Sequence, residues 1–162
     1  MALSTPTKPR GCAGFNLIEL LIALAILGIL AVIALSSYWS YVARAHRAAA
    51  RVQLLQAAQY MQHFYAANDR YDADRTGTQT VWALMPPGLQ RSPADGAPLY
   101  ALATTGATRS TADTSSFTLV MLPLAGRDMA RDKCGGFTIT QAGAKGLTAA
   151  PPSAALIVEC WR

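Results

Sequence analysis

Acidic side chains are scarce in this chain. Its 162 residues hold 9 Asp and Glu against 14 Lys and Arg, and only 14% are charged, where soluble domains average about 25%. Cysteine is nearly absent: Cys12, Cys134 and Cys160 are the only three. None forms a CxxC pair or sits beside a histidine, so thiolate metal sites have no ligand spacing to start from. The two histidines, His46 and His63, lie 17 residues apart with no acid or cysteine at ligand distance, and read as ordinary helix or surface residues. No Gly-rich phosphate loop occurs, and Ser115 and Ser116 sit in no nucleophile-elbow context. The sequence offers no catalytic constellation, no metal set and no cofactor motif, so an enzyme is not expected.

What is present in excess is apolar. Residues 15–35 form a run of 21 with two polar side chains, Asn16 and Glu19. As a helix this run is roughly 31 Å long, matching a hydrocarbon core of about 30 Å. A buried helix of a soluble domain rarely runs this far without a polar face, so a membrane-embedded helix is expected. The chain then has room for one ordinary domain besides. The formal charge of +5 includes Lys8 and Arg10 ahead of the run; without the first 14 residues, 12 basic less 9 acidic leaves +3. That is a weak hint of nucleic acid or anionic lipid.

The N-terminus differs from a secretory signal, whose apolar segment precedes the cut and is discarded. Here the small residues Gly11-Cys12-Ala13-Gly14 precede the apolar run. A cut after Gly14 removes a polar leader and retains the helix behind a new N-terminal Phe15. Positive charge sets no clear orientation, because Lys8 and Arg10 on one side face Arg44, Arg47 and Arg51 on the other. Cys134 and Cys160 tip the balance. An even pair beyond a membrane anchor suggests a disulfide in an oxidising compartment, with two buried free thiols as the alternative. Closing about 27 residues stabilises by roughly 3.5 kcal/mol in the chain-entropy account. The N-terminus is therefore expected in the cytoplasm and the C-terminal domain outside it.

The stretch Gly14-Phe15-Asn16-Leu17-Ile18-Glu19-Leu20-Leu21-Ile22 resembles the class III signal of type IV pilins and their pseudopilin relatives. The resemblance implies a prepilin peptidase that cuts between Gly14 and Phe15 and methylates the Phe15 amine. It also implies that Glu19 pairs with the Phe15 amine of a neighbouring subunit during assembly. An acid and an amine attract strongly in a low-dielectric core and can set register. Asp132-Lys133-Cys134-Gly135 and Cys160-Trp161-Arg162 resemble PilE-like minor pilins of type IVa systems. Many type IVa pilins carry proline where this chain has Ser36. Proline forces a kink and serine does not, so the family's bend is not required here.

Helical patterning continues past the membrane, since residues 36–68 contain no proline or glycine and much alanine. Leu54, Ala58, Met61 and Tyr65 form one apolar stripe, and Ala45, Ala48, Val52 and Leu55 a neighbouring one. Residues 15–68 then make roughly 80 Å of helix. Residues 69–97 read as a loop rich in breakers, pinned by Trp82, Leu84 and Met85. Strands are predicted at 99–103, 117–122, 137–141 and, finally, 156–161. The expected class is α+β, a long helix on an antiparallel sheet of about four strands. The resemblance implies the same: the type IV pilin fold, with leader 1–14, transmembrane and assembly helix 15–35, head 36–162 with its sheet over 98–162, and a D-region bounded by Cys134 and Cys160.

Arg44, Arg47 and Arg51 share one helix face just past the apolar run and read first as a solvated or headgroup-facing stripe. Subunit packing and nucleic acid are the lesser readings. Asp69, Asp72 and Asp74 lack an EF-hand's glycine and closing glutamate, and read as a solvated loop rather than a calcium site. The leading expectation is a minor pilin, stored in the inner membrane and assembled into an extracellular fibre that supports twitching motility, adhesion or DNA uptake. Its partners would be other pilins, the prepilin peptidase, the inner-membrane assembly platform and lipid, with nucleic acid an unlikely direct partner. The alternatives are a type II secretion pseudopilin and a tip pilin that binds DNA or a surface.

Overall fold

The computed structural model describes residues 16–149 and 152–162. The chain forms two units that meet between Trp39 and Ser40, and one helix, α1 (Leu17–Asn68), contributes to both. In the first unit every large apolar side chain from Leu17 to Leu35 is exposed, Leu17 at 74% and Val32 at 71%. An 18-residue window of α1 reaches a mean hydropathy of 2.9, and none of that window is buried. A helix satisfies its own main-chain donors and acceptors, which is the condition hydrocarbon imposes. α1 runs as a single helix through Ser36, where a proline would have removed one of those bonds.

In the second unit α1 supplies one wall of the core. Ala50, Leu54, Ala57, Met61 and Phe64 are buried, at the 4, 3, 4, 3 spacing that keeps one face toward a partner. This stripe shares half of the expected one, with Ala57 and Phe64 buried where Ala58 and Tyr65 are expected. Leu54 and Met61 belong to it, but Tyr65, Val52 and Leu55 are exposed at 38%, 53% and 38%. The second expected stripe is thus largely a solvent face, because only one face of the helix meets the sheet. Polar Gln53 is buried on the same side, and its amide donates to the Gly88 carbonyl at 2.6 Å.

The opposite wall is a six-stranded antiparallel sheet: β1 (Arg91–Ser92), β2 (Tyr100–Leu102), β3 (Thr111–Ala112), β4 (Phe117–Pro123), β5 (Phe137–Thr140) and β6 (Lys145–Leu147). The order is β1-β2-β4-β5-β6, with β3 on the free half of β4. Leu119 pairs with Ile139, and Phe137 with Leu147. Alternate residues Phe117, Leu119 and Met121 of β4 and Phe137 and Ile139 of β5 are buried, as strand geometry requires. Between β2 and β3, buried Ser110 takes a strand's place: its hydroxyl accepts from the Val120 amide at 2.9 Å. Gly136 leads into β5 where an added Cβ would meet the Met121 carbonyl at 2.7 Å, so the close approach there requires glycine.

Three expectations need correction. The sheet has six strands rather than four because β1, β3 and β6 are two or three residues long, below what alternation can reveal. Residues 156–161 are not a strand but lie in α3 (Ala154–Trp161). The Ser153 hydroxyl caps that helix by accepting from the Leu156 amide at 3.2 Å, and a short apolar run does not by itself distinguish helix from strand. The disulfide therefore joins the approach to β5 to a helix, not to a last strand. The 69–97 segment also carries structure of its own: α2 (Val81–Leu84), a 3₁₀ turn (Pro87–Gln90) and β1. Val81 and Met85 are its buried anchors, with Trp82 half-buried and Leu84 exposed.

Acidic residues organise the turns. Asp74 accepts from the Thr78 and Gln79 amides at 2.7 and 3.0 Å. Asp113 accepts from the Ser115 and Ser116 amides at 2.7 and 2.6 Å. The Gln79 amide chiefly, and then the Thr76 hydroxyl, bring the Asp74 carboxyl down to about 2; the Ser116 hydroxyl leads in bringing Asp113 to about 2. Both values lie below the ordinary 3.8, so these groups stabilise the fold above that pH, and the contribution disappears as pH falls through about 2. Thermal melts between about pH 4 and pH 2 should therefore show a falling Tm that flattens in Asp74→Asn and Asp113→Asn.

Candidate functional site

The arginine stripe of α1 meets the disulfide. Arg47 Nε lies 3.0 and 3.1 Å from the two carboxylate oxygens of Asp132, and Nη2 lies 2.5 Å from Oδ2. The two side chains are 14% and 7% exposed. Asp132 Oδ1 also accepts from the Cys134 amide at 3.0 Å. Cys134 is bonded to Cys160, with Cα atoms 5.9 Å apart. One turn along α1, Arg51 donates to the Cys160 carbonyl at 3.2 Å and to the main-chain oxygen of Arg162. Two successive arginines thus hold the two halves of the cystine. Burial first, and the Arg47 charge second, press the Arg51 guanidinium below its ordinary range.

This changes the reading of the stripe. Arg47 and Arg51 are committed to contacts within the head, not free in solvent, while Arg44 is exposed and has no ion pair among the described residues. Charge periodicity placed the three on one face, but no sequence signal paired Arg47 with an acid 85 positions away. Asp132 also reaches the core. Burial chiefly, with the Asp132 charge adding, raises the phenol of Tyr100, whose hydroxyl has no hydrogen bond among the described residues.

Around the cystine, Lys133 pairs with Glu159. Trp161 stands edge-on to Phe137 with centroids 5.7 Å apart, donates to the Gly146 carbonyl at 3.0 Å, and lies under the Lys145 ammonium at 5.2 Å. Further along the β4–β5 loop, Arg127 and Arg131 are exposed without an ion pair among the described residues. The acids after α1 are occupied locally: Asp69 with Arg75, Asp72 with Arg70, and Asp74 with its own turn. Among the described residues no cluster of His, Cys, Asp and Glu has a metal-binding arrangement.

Gly14 and Phe15 lie outside the described residues. Glu19 lies in the first turn of α1, exposed, and no side-chain partner meets it among the described residues. The Glu19 and Leu20 amides donate to the Asn16 carbonyl at 3.0 and 3.2 Å, and the positive end of the helix dipole favours a carboxylate there.

A long helix whose first part is apolar all round, whose second part backs an antiparallel sheet, and whose sheet is tied near the C-terminus by a cystine defines a type IV pilin. Residues 36–138 match the family described as Type IV minor pilin ComP, DNA uptake sequence receptor, and residues 9–35 match the prokaryotic N-terminal methylation motif. The chain belongs to this family of type IV minor pilins. The search of curated proteins finds no match. The pilin family is a structural one, and the matched region ends before α3 and Cys160.

Removing one member of the buried pair strands the other's charge. Asp132→Ala should lower stability by about 3–5 kcal/mol, whereas Arg47→Met combined with Asp132→Leu should recover most of the loss. Urea midpoints of the oxidised protein measure both.

Proposed function

We propose that this chain is a minor subunit through which a type IV pilus receives DNA. The observation that carries the reading is the match of residues 36–138 to a family described as a DNA uptake sequence receptor. A modest net charge argued against nucleic acid as a direct partner, yet net charge is a poor guide to the local field. Asp69, Asp72, Asp132 and Glu159 are each neutralised by a basic partner, and Asp74 and Asp113 serve their own turns. Arg127 and Arg131 on the β4–β5 loop face solvent without an ion pair among the described residues, with exposed Asp128 between them, and they are the cations we assign to backbone phosphates. Phosphate contacts give affinity without sequence choice.

The methylation-motif match over residues 9–35 supports the rest of the life cycle we assign. The prepilin peptidase cuts between Gly14 and Phe15 and methylates the Phe15 amine. The helix holds the subunit in the inner membrane, N-terminus in the cytoplasm and head outside it. Assembly then brings Glu19 against the Phe15 amine of a neighbouring pilin.

Two experiments test this reading. Fluorescence anisotropy with short duplexes of random sequence should show binding that weakens steeply with salt. Arg127→Ala with Arg131→Ala should reduce the slope of log K against log salt by about 2, since each phosphate contact contributes roughly 0.9; a slope unchanged in the double variant counts against the assignment. For assembly, Glu19→Ala should leave cleavage and membrane insertion intact while subunit recovery in sheared fibres collapses. Normal recovery would sink the pairing.

A further inference from the structure

A pocket of about 240 Å³ opens where α1 passes α3, lined by Arg44, Arg47, Arg51, Glu159, Cys160 and Arg162. Its charges do not cancel. Asp132 neutralises Arg47, and Glu159 is engaged by Lys133. Arg51 bonds to main-chain oxygens, while the side chains of Arg44 and Arg162 have no ion pair among the described residues. Arg44, Arg51 and Arg162 therefore line one concavity whose carboxylate side chain, Glu159, is engaged by Lys133. Burial chiefly, with the Arg47 charge adding, lowers Arg51 on the back wall.

The surroundings narrow the ligand. Beyond Glu159 and Arg162, α3 carries an open apolar depression of about 420 Å³, lined by Ala154, Ala155 and Val158 as well as those two residues. Val158 is 54% exposed there. A cationic pocket contiguous with an apolar trough suits an amphiphile, one anionic group with a hydrocarbon neighbour. A nucleic-acid backbone has no use for the trough. In sequence, Arg44 follows the last residue of the apolar run by nine positions, past exposed Tyr38, Trp39 and Tyr41. Aromatic residues of this kind mark the membrane–water interface, where lipid phosphates lie. Half of the pocket, α3 with Arg162, falls outside the region matched to the family.

We propose that this pocket binds the phosphoryl group of an anionic phospholipid headgroup, Arg44 and Arg162 gripping the phosphate while the trough on α3 covers the adjoining hydrocarbon. The site acts in the membrane-stored state proposed above. Guanidinium groups donate charge-assisted, forked hydrogen bonds to phosphate. Arg47 and Arg51 keep their intramolecular partners and form the back wall.

The test uses the full chain in an uncharged maltoside detergent, reading arginine Nε–Hε signals by NMR during titration. Dihexanoyl phosphatidylglycerol should move the Arg44 and Arg162 signals at a concentration roughly tenfold below that needed for inorganic phosphate. Arg44→Gln with Arg162→Gln, followed through the Arg51 Nε–Hε signal on the back wall, should weaken that binding roughly a hundredfold, tenfold for each lost charge-assisted contact. The Arg47 signal should stay in place in the double variant, reporting an intact head. Inorganic phosphate binding as tightly as the lipid, a short DNA duplex saturating the pocket first, or a double variant that binds lipid undiminished each overturns the proposal. Membrane fractionation is a separate readout: a chain recovered outside membranes undoes the stored state itself, whereas the detergent titration reports on the pocket alone.

Discussion

A guanidinium and a carboxylate with little access to water, Arg47 and Asp132, approach to 2.5 Å between α1 and the loop that carries Cys134. Neither charge could be left there alone, because burying an isolated ion costs far more than any single contact returns. Their mutual need fixes where the loop runs against the helix. The Cys134 amide is oriented by the same carboxylate, and Cys134 fixes Cys160, whose carbonyl Arg51 holds. α3, the Trp161 stack on Phe137 and the lining of the arginine pocket all follow from that chain of contacts. The apolar core beneath, from Leu54 and Met61 to Leu119 and Phe137, supplies most of the burial, yet shape and volume alone permit several registers. The ion pair adds a charged contact between positions 47 and 132 to that packing.

Legibility in the sequence followed the length of each pattern. α1 was readable because its apolar run and its alanine-rich continuation extend over many turns. β4 and β5 were readable because Phe117, Leu119, Met121, Phe137 and Ile139 alternate. Where an element is two or three residues long, as in β1 and β3, pairing partners rather than local pattern create it. α3 illustrates a competing local signal. Leu156, Ile157 and Val158 suggest a strand, whereas the Ser153 cap decides for a helix. The candidate site was legible only in halves. Periodicity put Arg44, Arg47 and Arg51 on one face and parity coupled Cys134 with Cys160, but no spacing rule joins position 47 to position 132.

The distribution of acid explains why a chain of modest charge can still present cations. Six of the nine carboxylate side chains are structural: four neutralise basic neighbours and two close turns. What remains exposed and unneutralised is weighted toward arginine, on the β4–β5 loop and around the α1–α3 pocket. The two places differ in their neighbours, one open to solvent and the other edged by the apolar trough of α3. We assign arginine in these two settings to different phosphates.

The first part of α1 buries no large side chain within its own chain. Its attraction to an apolar environment is therefore not committed to the fold of the head and can be satisfied equally by lipid tails or by other helices of its kind. Moving such a helix between hydrocarbon and a bundle changes its apolar exposure little. A subunit that passes from membrane to fibre, as proposed, would be close to neutral between the two. If such a helix passes between lipid and a helical bundle, the exchange carries little apolar free energy of its own in either direction.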